Sequence, residues 1–184
     1  MDVAVGEAEF ERTDKGLVPK KPGWYVLNAR DAVWSDRGPR GLICDLEGDA
    51  DFEQLGFTLF VLHPGSQMSM YHWEADQEDF LVLSGEAILI VENEEHRLRA
   101  WDFFHKPPHV SHTMIGAGDG PCVVVAVGAR EHQSGEGWGA YPYSELAMKY
   151  DASTPEETSD AKIAYGRFPA RQASAYQDGW LPDS

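Results

Sequence analysis

The chain has 184 residues, of which 31 are acidic and 15 are Lys or Arg, for a formal net charge of −16. This length supports one domain with a closed core and leaves little room for a second. The acidic balance argues against nucleic acid and anionic membrane surfaces as partners, because both require clustered Lys and Arg.

The N-terminus and the cysteines indicate the cellular compartment. Residues 1–7 lack a basic start and an apolar run of signal-peptide length, and no later stretch approaches the length of a membrane span. Cys44 and Cys122 lack Cys-x-x-Cys and zinc-finger spacing, so we interpret them as small buried side chains, with a disulfide as the less favoured alternative. We expect a cytoplasmic protein.

The first fifty residues contain short β-prone pieces between Gly, Pro and Asp residues. Residues 24–27 and 41–44 are two such pieces, and we expect them to form edge strands and connections. We therefore assign residues 1–50 to N-terminal strands and an edge segment.

From residue 56 onwards, compact strand patterns recur at regular spacing. The predicted strands are 57–62, 68–73, 80–83, 87–92, 103–105, 113–115 and 122–127, with turn signals at 64–65, 84–85, 92–95, 107–108 and 116–121. Many short strands without intervening helical patterns favour a β-sandwich or barrel. We assign residues 51–130 to this core.

The last part of the chain, residues 131–184, loses the strand pattern. Residues 144–150 and 155–165 are predicted helices, the second with Ser153 or Thr154 as its N-cap. The segment is also rich in aromatic side chains, which predicts that it packs on the barrel or on a second subunit. These are Tyr141, Tyr143, Phe168, Tyr176 and Trp180.

Two of the strand segments carry imidazole and carboxylate groups that could meet at one point. His72 and Glu74 stand in Tyr71-His72-Trp73-Glu74, and Glu78 follows after a short acidic turn. His112 ends a downstream run that begins with Pro107-Pro108. This arrangement is typical of a metal site.

The same two stretches resemble the signatures of the cupin superfamily. Residues 65–85 resemble the first motif, G-x5-H-x-H-x(3 or 4)-E-x6-G, and residues 101–116 resemble the second, G-x5-P-x-G-x2-H-x3-N. The matching positions are Gly65, Glu78 and Gly85 in the first motif and Asp102, Pro107 and His112 in the second. The resemblance covers residues 57–127. It implies an all-β fold with a single cupin barrel, a jelly-roll-like double-stranded β-helix, with N-terminal strands and a short, partly helical C-terminal extension.

The first motif can be aligned in two registers. A three-residue spacer before Glu78 places His72 and Glu74 at the two histidine positions, with one extra residue after the opening glycine. A four-residue spacer places Tyr71 and Trp73 there and leaves the motif without an imidazole. We favour the first register because residues 72 and 74 share a strand face and both can coordinate a metal.

The second motif departs from its pattern at three positions. Trp101 replaces the opening glycine, His109 replaces the middle glycine, and Gly116 stands where asparagine is usual. These changes concern the geometry of the turns, and they leave the ligand position His112 in place.

The expected site is a divalent metal held by His72, Glu78 and His112. Two imidazoles and one carboxylate leave coordination positions open and suit Fe(II), with Mn(II), Ni(II) or Zn(II) as further candidates. Glu74 is either a fourth ligand or a neighbouring group that orients a ligand or serves as a base for the substrate. The alternative is a metal-free barrel in which Glu78 is an ordinary turn carboxylate.

The remaining candidate ligands receive structural interpretations. We expect Asp76 and Asp79 to be solvated and His105 to have a packing role, and we expect no metal at His63, His96, His109 or His132. A thioether is a weak partner for a hard cation, so the methionines are expected to line the apolar part of the cavity. These are Met68, Met70 and Met114.

The resemblance indicates the architecture better than the reaction, because cupins include dioxygenases, decarboxylases, sugar isomerases, epimerases and binding proteins. Our first hypothesis is a metal-dependent enzyme acting on a small polar organic molecule inside the barrel. The alternatives are a non-catalytic module that binds a sugar or small acid, and a metal-free epimerase with a His base and a Tyr acid. Single cupin barrels commonly pair through sheet edges, so we predict a homodimer.

Overall fold

The computed structural model describes residues 5–21, 23–50, 52–132 and 137–183, and its predominance of strands confirms the predicted all-β class. The predicted boundary at residue 51 lies outside the described residues. In chain order, the elements are β1 (Phe10–Arg12), β2 (Leu17–Pro19), β3 (Trp34–Asp36), β4 (Leu42–Cys44), β5 (Leu55–Leu62), β6 (Trp73–Glu74), β7 (Glu78–Ser84), β8 (Glu86–Val91), β9 (Glu94–Arg99), β10 (Phe103–Lys106), β11 (His112–Ala117), β12 (Cys122–Ala129), β13 (Gly139–Ala140), α1 (Glu145–Met148), α2 (Ala161–Tyr165) and β14 (Gln172–Ser174).

Two antiparallel sheets form the barrel. The larger sheet has the order β10-β7-β12-β5-β4-β3-β14, and the smaller has the order β11-β8-β9. The segment between β5 and β6 lies along the free side of β11, where Gln67 bridges to Ile115 and His72 bridges to His112. The loop that carries the first motif therefore becomes part of the smaller sheet.

The core between the sheets follows from the two-residue alternation of side chains along β-strands. Phe80 of β7 and Met114 of β11 are buried in the same apolar cluster. Residues of the same parity on β7, β10 and β11 therefore face the interior. This parity directs Glu78, Lys106 and His112 inward.

The N- and C-terminal segments pack on the outer face of the larger sheet. Trp34 of β3 is fully buried, and its ring centroid lies 5.5 Å from that of Trp180 and 6.2 Å from that of Tyr176. β14 pairs with β3 and forms one edge of this sheet, while β10 forms the other. Cys44 and Cys122 are both buried and free, as expected.

Three strand predictions were wrong in detail. Residues 68–73 do not form a regular strand, because the backbone bends at Met68, Ser69 and Tyr71 and a strand begins only at Trp73. Residues 24–27 contain an isolated bridge at Trp24 and no strand. The predicted turn at 92–95 is shorter, with positive φ at Glu92 and Asn93, and β9 follows at once. Its sequence is polar and mostly exposed, so it lacks the apolar alternation that identifies a strand.

The helical predictions are accurate for α1 and inaccurate for the start of α2. Ser144 caps α1 by accepting a hydrogen bond from the backbone N–H of Ala147. The N-cap of α2 is Asp160, which accepts from Lys162 N–H. Ser153 and Thr154 are instead buried and bond to loop backbone. Neither described helix has the length and apolar run that a membrane crossing requires.

Candidate metal centre

Three of the four predicted ligands converge at one point of the barrel interior. His72, Glu78 and His112 each offer a ligand atom, and these atoms all lie within 4.8 Å of one another. Reciprocal backbone hydrogen bonds hold the two histidines side by side, with His72 N–H donating to His112 O at 3.1 Å and His112 N–H donating to His72 O at 2.8 Å. Both imidazoles are buried, so the group is shielded from bulk water.

Glu78 is the first residue of β7 and faces the same interior as Phe80. Its Oε2 lies 3.5 Å from His112 Nε2 and 3.2 Å from Lys106 Nζ. The proximity of Lys106 follows from the register, because Lys106 and Glu78 are directly opposed across β10 and β7. The carboxylate therefore stands between an imidazole and an ammonium group.

Both ring nitrogens of His72 face oxygen atoms that accept hydrogen bonds. Nδ1 lies 2.8 Å from Met70 O, and Nε2 lies 3.1 Å from Glu74 Oε1. A neutral imidazole has one N–H, so the two contacts together require either a second proton or a cation at one nitrogen. An N–H donated to a backbone carbonyl is also how metal-binding histidines are commonly oriented.

The pKa values of His72, His112 and Glu78 are shifted in different directions. Burial disfavours the charged form of His72, yet its hydrogen bond and charge interaction with Glu74 raise its pKa overall. Burial lowers the pKa of His112 well below the ordinary value, and the nearby charges of His72 and Lys106 act in the same direction. Burial and then the charge of Glu74 raise the pKa of Glu78. His112 is therefore neutral at neutral pH, which is the state that binds metals.

Two buried atoms of this group lack hydrogen-bond partners among the described residues. They are Glu78 Oε2 and His112 Nδ1. Glu78 Oε2 nevertheless lies 3.2 Å from Lys106 Nζ, and the His112 nitrogen that faces Glu78 is Nε2. An ion in this group would therefore contact Glu78 Oε2 and His112 Nε2, and it would not supply a partner to His112 Nδ1. Ligand atoms about 2.1 Å from one ion can be at most about 4.2 Å apart, so small side-chain rotations suffice to close the observed group around an ion.

The structure also distinguishes between the two registers in which the first motif can be aligned. Tyr71 is buried in a cluster with Ile88 and Ile90, and its hydroxyl accepts a hydrogen bond from Asn93 N–H at 3.2 Å. Trp73 packs against His109, with 5.1 Å between ring centroids. Neither side chain belongs to the group formed by the two histidines and Glu78.

Sequence reasoning missed Lys106, the most buried charged side chain near the group. Its Nζ donates a hydrogen bond to Asp76 O at 2.9 Å, and the residue is 0% exposed. Its position before Pro107-Pro108 suggested a surface turn. Its parity with Phe104, which packs against the core, was the signal that could have placed it inside.

Asp76 was predicted to be solvated and is instead buried. Its carboxylate accepts hydrogen bonds from His132 N–H at 2.8 Å and pairs with His132 Nδ1 at 2.7 Å. Glu131 joins these two residues in a second cluster of ligating groups at the surface. Because His132 satisfies the hydrogen-bonding capacity of the Asp76 carboxylate, this cluster is explained by a structural role. It links the segment after β12 to the turn before β7.

Other side chains lie partly as expected. His105 is exposed and contacts Asp79 at 2.6 Å, so the predicted packing role is wrong. Met68 lines the cavity as predicted. Met70 and Met114 are buried in neighbouring apolar clusters and do not line it.

The second motif retains its turn conformations although other residues replace two of its glycines. Trp101 and His109 adopt φ values of 75° and 67°, the left-handed conformation that glycine would adopt most easily at these positions. At Gly116 a Cβ atom would lie 2.3 Å from the carbonyl oxygen of His63. The glycine there permits a close backbone contact that asparagine would not.

The group lies in a cavity of about 470 Å³, a size suited to a small molecule. Glu74 also lines this cavity, as do Arg37 and Arg40 from the N-terminal segment. Phe60 of β5 and Tyr165 of α2 are further lining residues. The cavity thus combines a cluster of imidazole and carboxylate groups with a cluster of guanidinium groups.

Comparisons with known proteins identify the barrel. Residues 58–128 match the family model of the cupin domain. A protein from Acidithiobacillus ferrooxidans, provisionally described as a sugar phosphate isomerase, is 26% identical over 49% of this chain and 59% of its own, with a TM-score of 0.46. The sugar phosphate isomerase of the cupin superfamily from Silicibacter pomeroyi is 26% identical over 50% of this chain and 60% of its own, with a TM-score of 0.45.

A third solved structure shares the fold over a longer stretch. The RmlC-like cupin from Shewanella frigidimarina is 17% identical over 60% of this chain and 96% of its own, with a TM-score of 0.52. The present chain spans about three fifths of the length of the two proteins described as sugar phosphate isomerases. No curated protein sequence matches the chain. Residues 58–128 of this chain therefore match the cupin domain, and the barrel that they form has the fold of the RmlC-like cupin.

Proposed function

We propose that this cupin binds one divalent metal ion through His72, Glu78 and His112 and acts as a metal-dependent enzyme on a small polar organic molecule. The observation that carries the proposal is the approach of three ligand atoms to within 4.8 Å of one another inside a cavity of about 470 Å³. Glu78 Oε2 and His112 Nε2 lie 3.5 Å apart, and an ion between them would give the buried Glu78 carboxylate a second positive partner beside Lys106.

The charges of the group favour a cation. Glu74 and Glu78 contribute two carboxylates, while Lys106 is the ammonium group in contact with Glu78. Burial and, after it, repulsion from Glu74 raise the pKa of Glu78, and a divalent ion would relieve that repulsion. Fe(II), Mn(II), Ni(II) and Zn(II) are all compatible with a set of two imidazoles and one carboxylate.

The bound ion would polarise an oxygen atom of the substrate. Side chains of this protein would orient the metal ligands, accept a proton and limit the access of water. His72 is oriented by Met70 O, and Glu74 lines the cavity beside His72, where it is placed to accept a proton from a bound molecule. The apolar ring of Phe80 packs against His112 at 5.3 Å between centroids and limits the access of water to that ligand.

Metal content measured on protein purified without chelator tests the proposal. After separate additions of Fe, Mn, Ni and Zn, we expect at least one of these metals at about one ion per chain. Glu78→Gln and His112→Gln should lose it, whereas His105→Gln, at an exposed histidine of the same barrel, should retain it. A stoichiometry well below one that does not respond to any of the four metals contradicts the proposal, as does full retention in both variants.

A non-catalytic binding module is the second candidate, favoured by one specific contact. Lys106 Nζ lies 3.2 Å from Glu78 Oε2 and already supplies a positive partner to the carboxylate that a metal would use. A thermal-shift screen with metals and small polar metabolites, followed by product analysis for each stabilising compound, separates the two functions. Conversion of a stabilising compound supports the enzyme, and stabilisation without conversion supports the binding module.

The metal-free epimerase is the least supported alternative. Tyr141 stacks on His72 at 5.8 Å between ring centroids, but it is not among the residues that line the cavity. Burial and the neighbouring Tyr165 raise the pKa of Tyr141 above its ordinary value, which makes it a poor proton donor.

We also propose that the chain forms a homodimer through the β10 edge of the larger sheet. The opposite edge, β14, is the short strand Gln172–Ser174 without a large apolar side chain, whereas Trp101 before β10 and Phe103 in β10 are 74% and 62% exposed. Sedimentation at micromolar concentration should show a dimer, and Phe103→Glu should shift it to the monomer. A species of monomer mass alone in the wild-type protein would refute this assembly.

A further inference from the structure

Two arginines from the N-terminal segment line the same cavity as the proposed metal ligands. Arg37 directly follows β3, and Arg40 ends the 3₁₀ turn Gly38–Arg40. Arg37 is only 3% exposed, and Arg40 is half-buried. A buried guanidinium group without a negative partner is uncommon, because arginine is almost never fully buried unless it is paired.

The contacts of these two arginines are with neutral groups. Arg37 Nη1 donates to Met68 O at 2.8 Å and Nη2 donates to Arg40 O at 2.6 Å, while Arg40 Nη2 donates to Met68 O at 3.3 Å. Arg37 lies over the ring of Phe60, and Arg40 lies over the rings of Tyr165 and Phe168. No ion pair within 4.0 Å joins either arginine to a carboxylate in the part of the chain that the structure describes.

Both arginines also retain an unused donor. Their Nε atoms are buried and have no hydrogen-bond partner among the described residues. Arg130, on another wall of the cavity, is different because its guanidinium group is paired with Glu47. Asp45, a further acidic residue of the lining, interacts with Arg130 and Arg171. The carboxylates of this wall therefore do not neutralise Arg37 or Arg40.

The electrostatic state of Arg37 reflects this lack of compensation. Burial, followed by the positive charges of Arg40 and Arg171, lowers the pKa of Arg37 to about 9. No carboxylate is among the main causes of this shift. An uncompensated buried charge costs several kcal/mol, and a bound anion would reduce that cost.

The guanidinium cluster and the proposed metal site are connected by one short segment. Met68 O accepts the hydrogen bond from Arg37, and His72 is four residues further along. Four residues span at most roughly 14 Å. Because the arginines and the metal ligands line the same cavity, one molecule that fills it can contact both groups.

We propose that Arg37 and Arg40 form a subsite for an oxyanion, a carboxylate or a phosphate, carried by the molecule whose other end meets His72, Glu78 and His112. The planar guanidinium group offers several donors in a geometry that suits both oxyanions. The substrate class, a small organic anion, rests on the proposed function. The binding of the oxyanion itself does not require a metal.

Isothermal titration of chelator-treated protein with inorganic phosphate and, separately, with malonate tests the subsite at constant ionic strength. We expect saturable binding of at least one of the two, and the stronger ligand identifies the oxyanion. Arg40→Gln should weaken this binding at least tenfold, and Arg37→Gln should do the same if the variant folds. Arg99→Gln, which removes the same charge from an exposed strand position, should bind as the wild type does. Absence of binding of both anions at tens of millimolar, or equal binding in Arg40→Gln and the wild type, would overturn the proposal.

The same titration with Glu78→Gln distinguishes this proposal from the proposed metal function. The variant should lose the metal and keep the oxyanion, because Glu78 does not contact either arginine in the ion pairs described. Failure of metal binding with intact oxyanion binding refutes the metal-dependent enzyme alone. Intact metal binding without oxyanion binding refutes the arginine subsite alone.

Discussion

His72 and Glu74 lie side by side in the cavity wall, with Nε2 of the imidazole 3.1 Å from Oε1 of the carboxylate. The other ring nitrogen of His72 lies 2.8 Å from Met70 O. Because both neighbours are acceptors, the imidazole is either doubly protonated or shares its Nε2 with a cation. Metal binding is therefore expected to replace a proton that Glu74 stabilises.

Glu74→Gln tests whether this carboxylate supports the ligands or is one of them. We expect about one ion per chain to remain bound, with affinity reduced roughly 10–100-fold, as is usual when a group that supports a ligand is changed. Competition with a fluorescent chelator measures the affinity, and Glu53→Gln at an exposed site is the control. Unchanged affinity, or a loss as complete as in Glu78→Gln, would contradict a supporting role.

Lys106→Met removes the buried ammonium group opposite Glu78. Without metal, we expect a loss of about 3–5 kcal/mol of unfolding free energy, because the variant leaves a buried carboxylate without its positive partner. Because a positive charge next to the ligands has gone, a divalent ion should bind more tightly and restore much of this stability. Urea unfolding with and without the ion measures both effects.

The control for this prediction is Lys149→Met, at an exposed lysine far from any described partner of Glu78. It should change the stability by less than about 0.5 kcal/mol. Equal stability of Lys106→Met and the wild type without metal would show that the ion pair contributes nothing.

The sequence predicts those site residues whose positions depend on a local motif and on the alternation of side chains along a strand. Glu78 and His112 occupy motif positions, and the parity of residues along β7 and β11 directs both side chains inward. Arg37 was not predictable in this way. Its partner, the carbonyl of Met68, lies 31 residues away along the chain, and the pairing depends on how the N-terminal segment crosses the cavity.

The same distinction applies to the fold. Strands rich in apolar residues, such as β7 and β12, were recognised, whereas β9 was missed because its exposed charged residues carry no core pattern. The start of α2 was misplaced because Ser153 and Thr154 are good capping residues by type, but their hydroxyl groups are used by neighbouring loops. Tertiary contacts here decide between two locally acceptable roles.

Cys44 and Cys122 should make stability depend on alkaline pH. Burial raises the pKa of Cys44 to about 11 and that of Cys122 to about 12, from an ordinary value of 9.0. Above pH 9 the unfolded thiols release protons that the folded thiols retain, so stability falls as pH rises, by up to about 1.4 kcal/mol per thiol and pH unit. Urea unfolding between pH 8 and 10.5 should show a shallower decline in the Cys44→Ala/Cys122→Ala variant. Parallel declines in the two proteins would contradict the buried, protonated state of the thiols.

Trp101→Gly should stabilise the monomer even though it removes a large side chain. Trp101 has a φ of 75° and is 74% exposed, so glycine relieves backbone strain while little packing is lost. Left-handed geometry costs a non-glycine residue about 1–2 kcal/mol, and part of this gain is offset by the greater freedom of glycine in the unfolded chain. We expect a net gain of about 0.5–1 kcal/mol. Phe103→Gly, at the exposed first residue of the neighbouring strand β10, should instead be destabilising, because glycine loses more conformational freedom on folding and no positive φ is relieved there. If both variants lose stability equally at a concentration where the protein is monomeric, the strain at Trp101 is not real. If Trp101→Gly stabilises the monomer but weakens the dimer, an exposed tryptophan in a strained turn is explained by its role at the subunit contact.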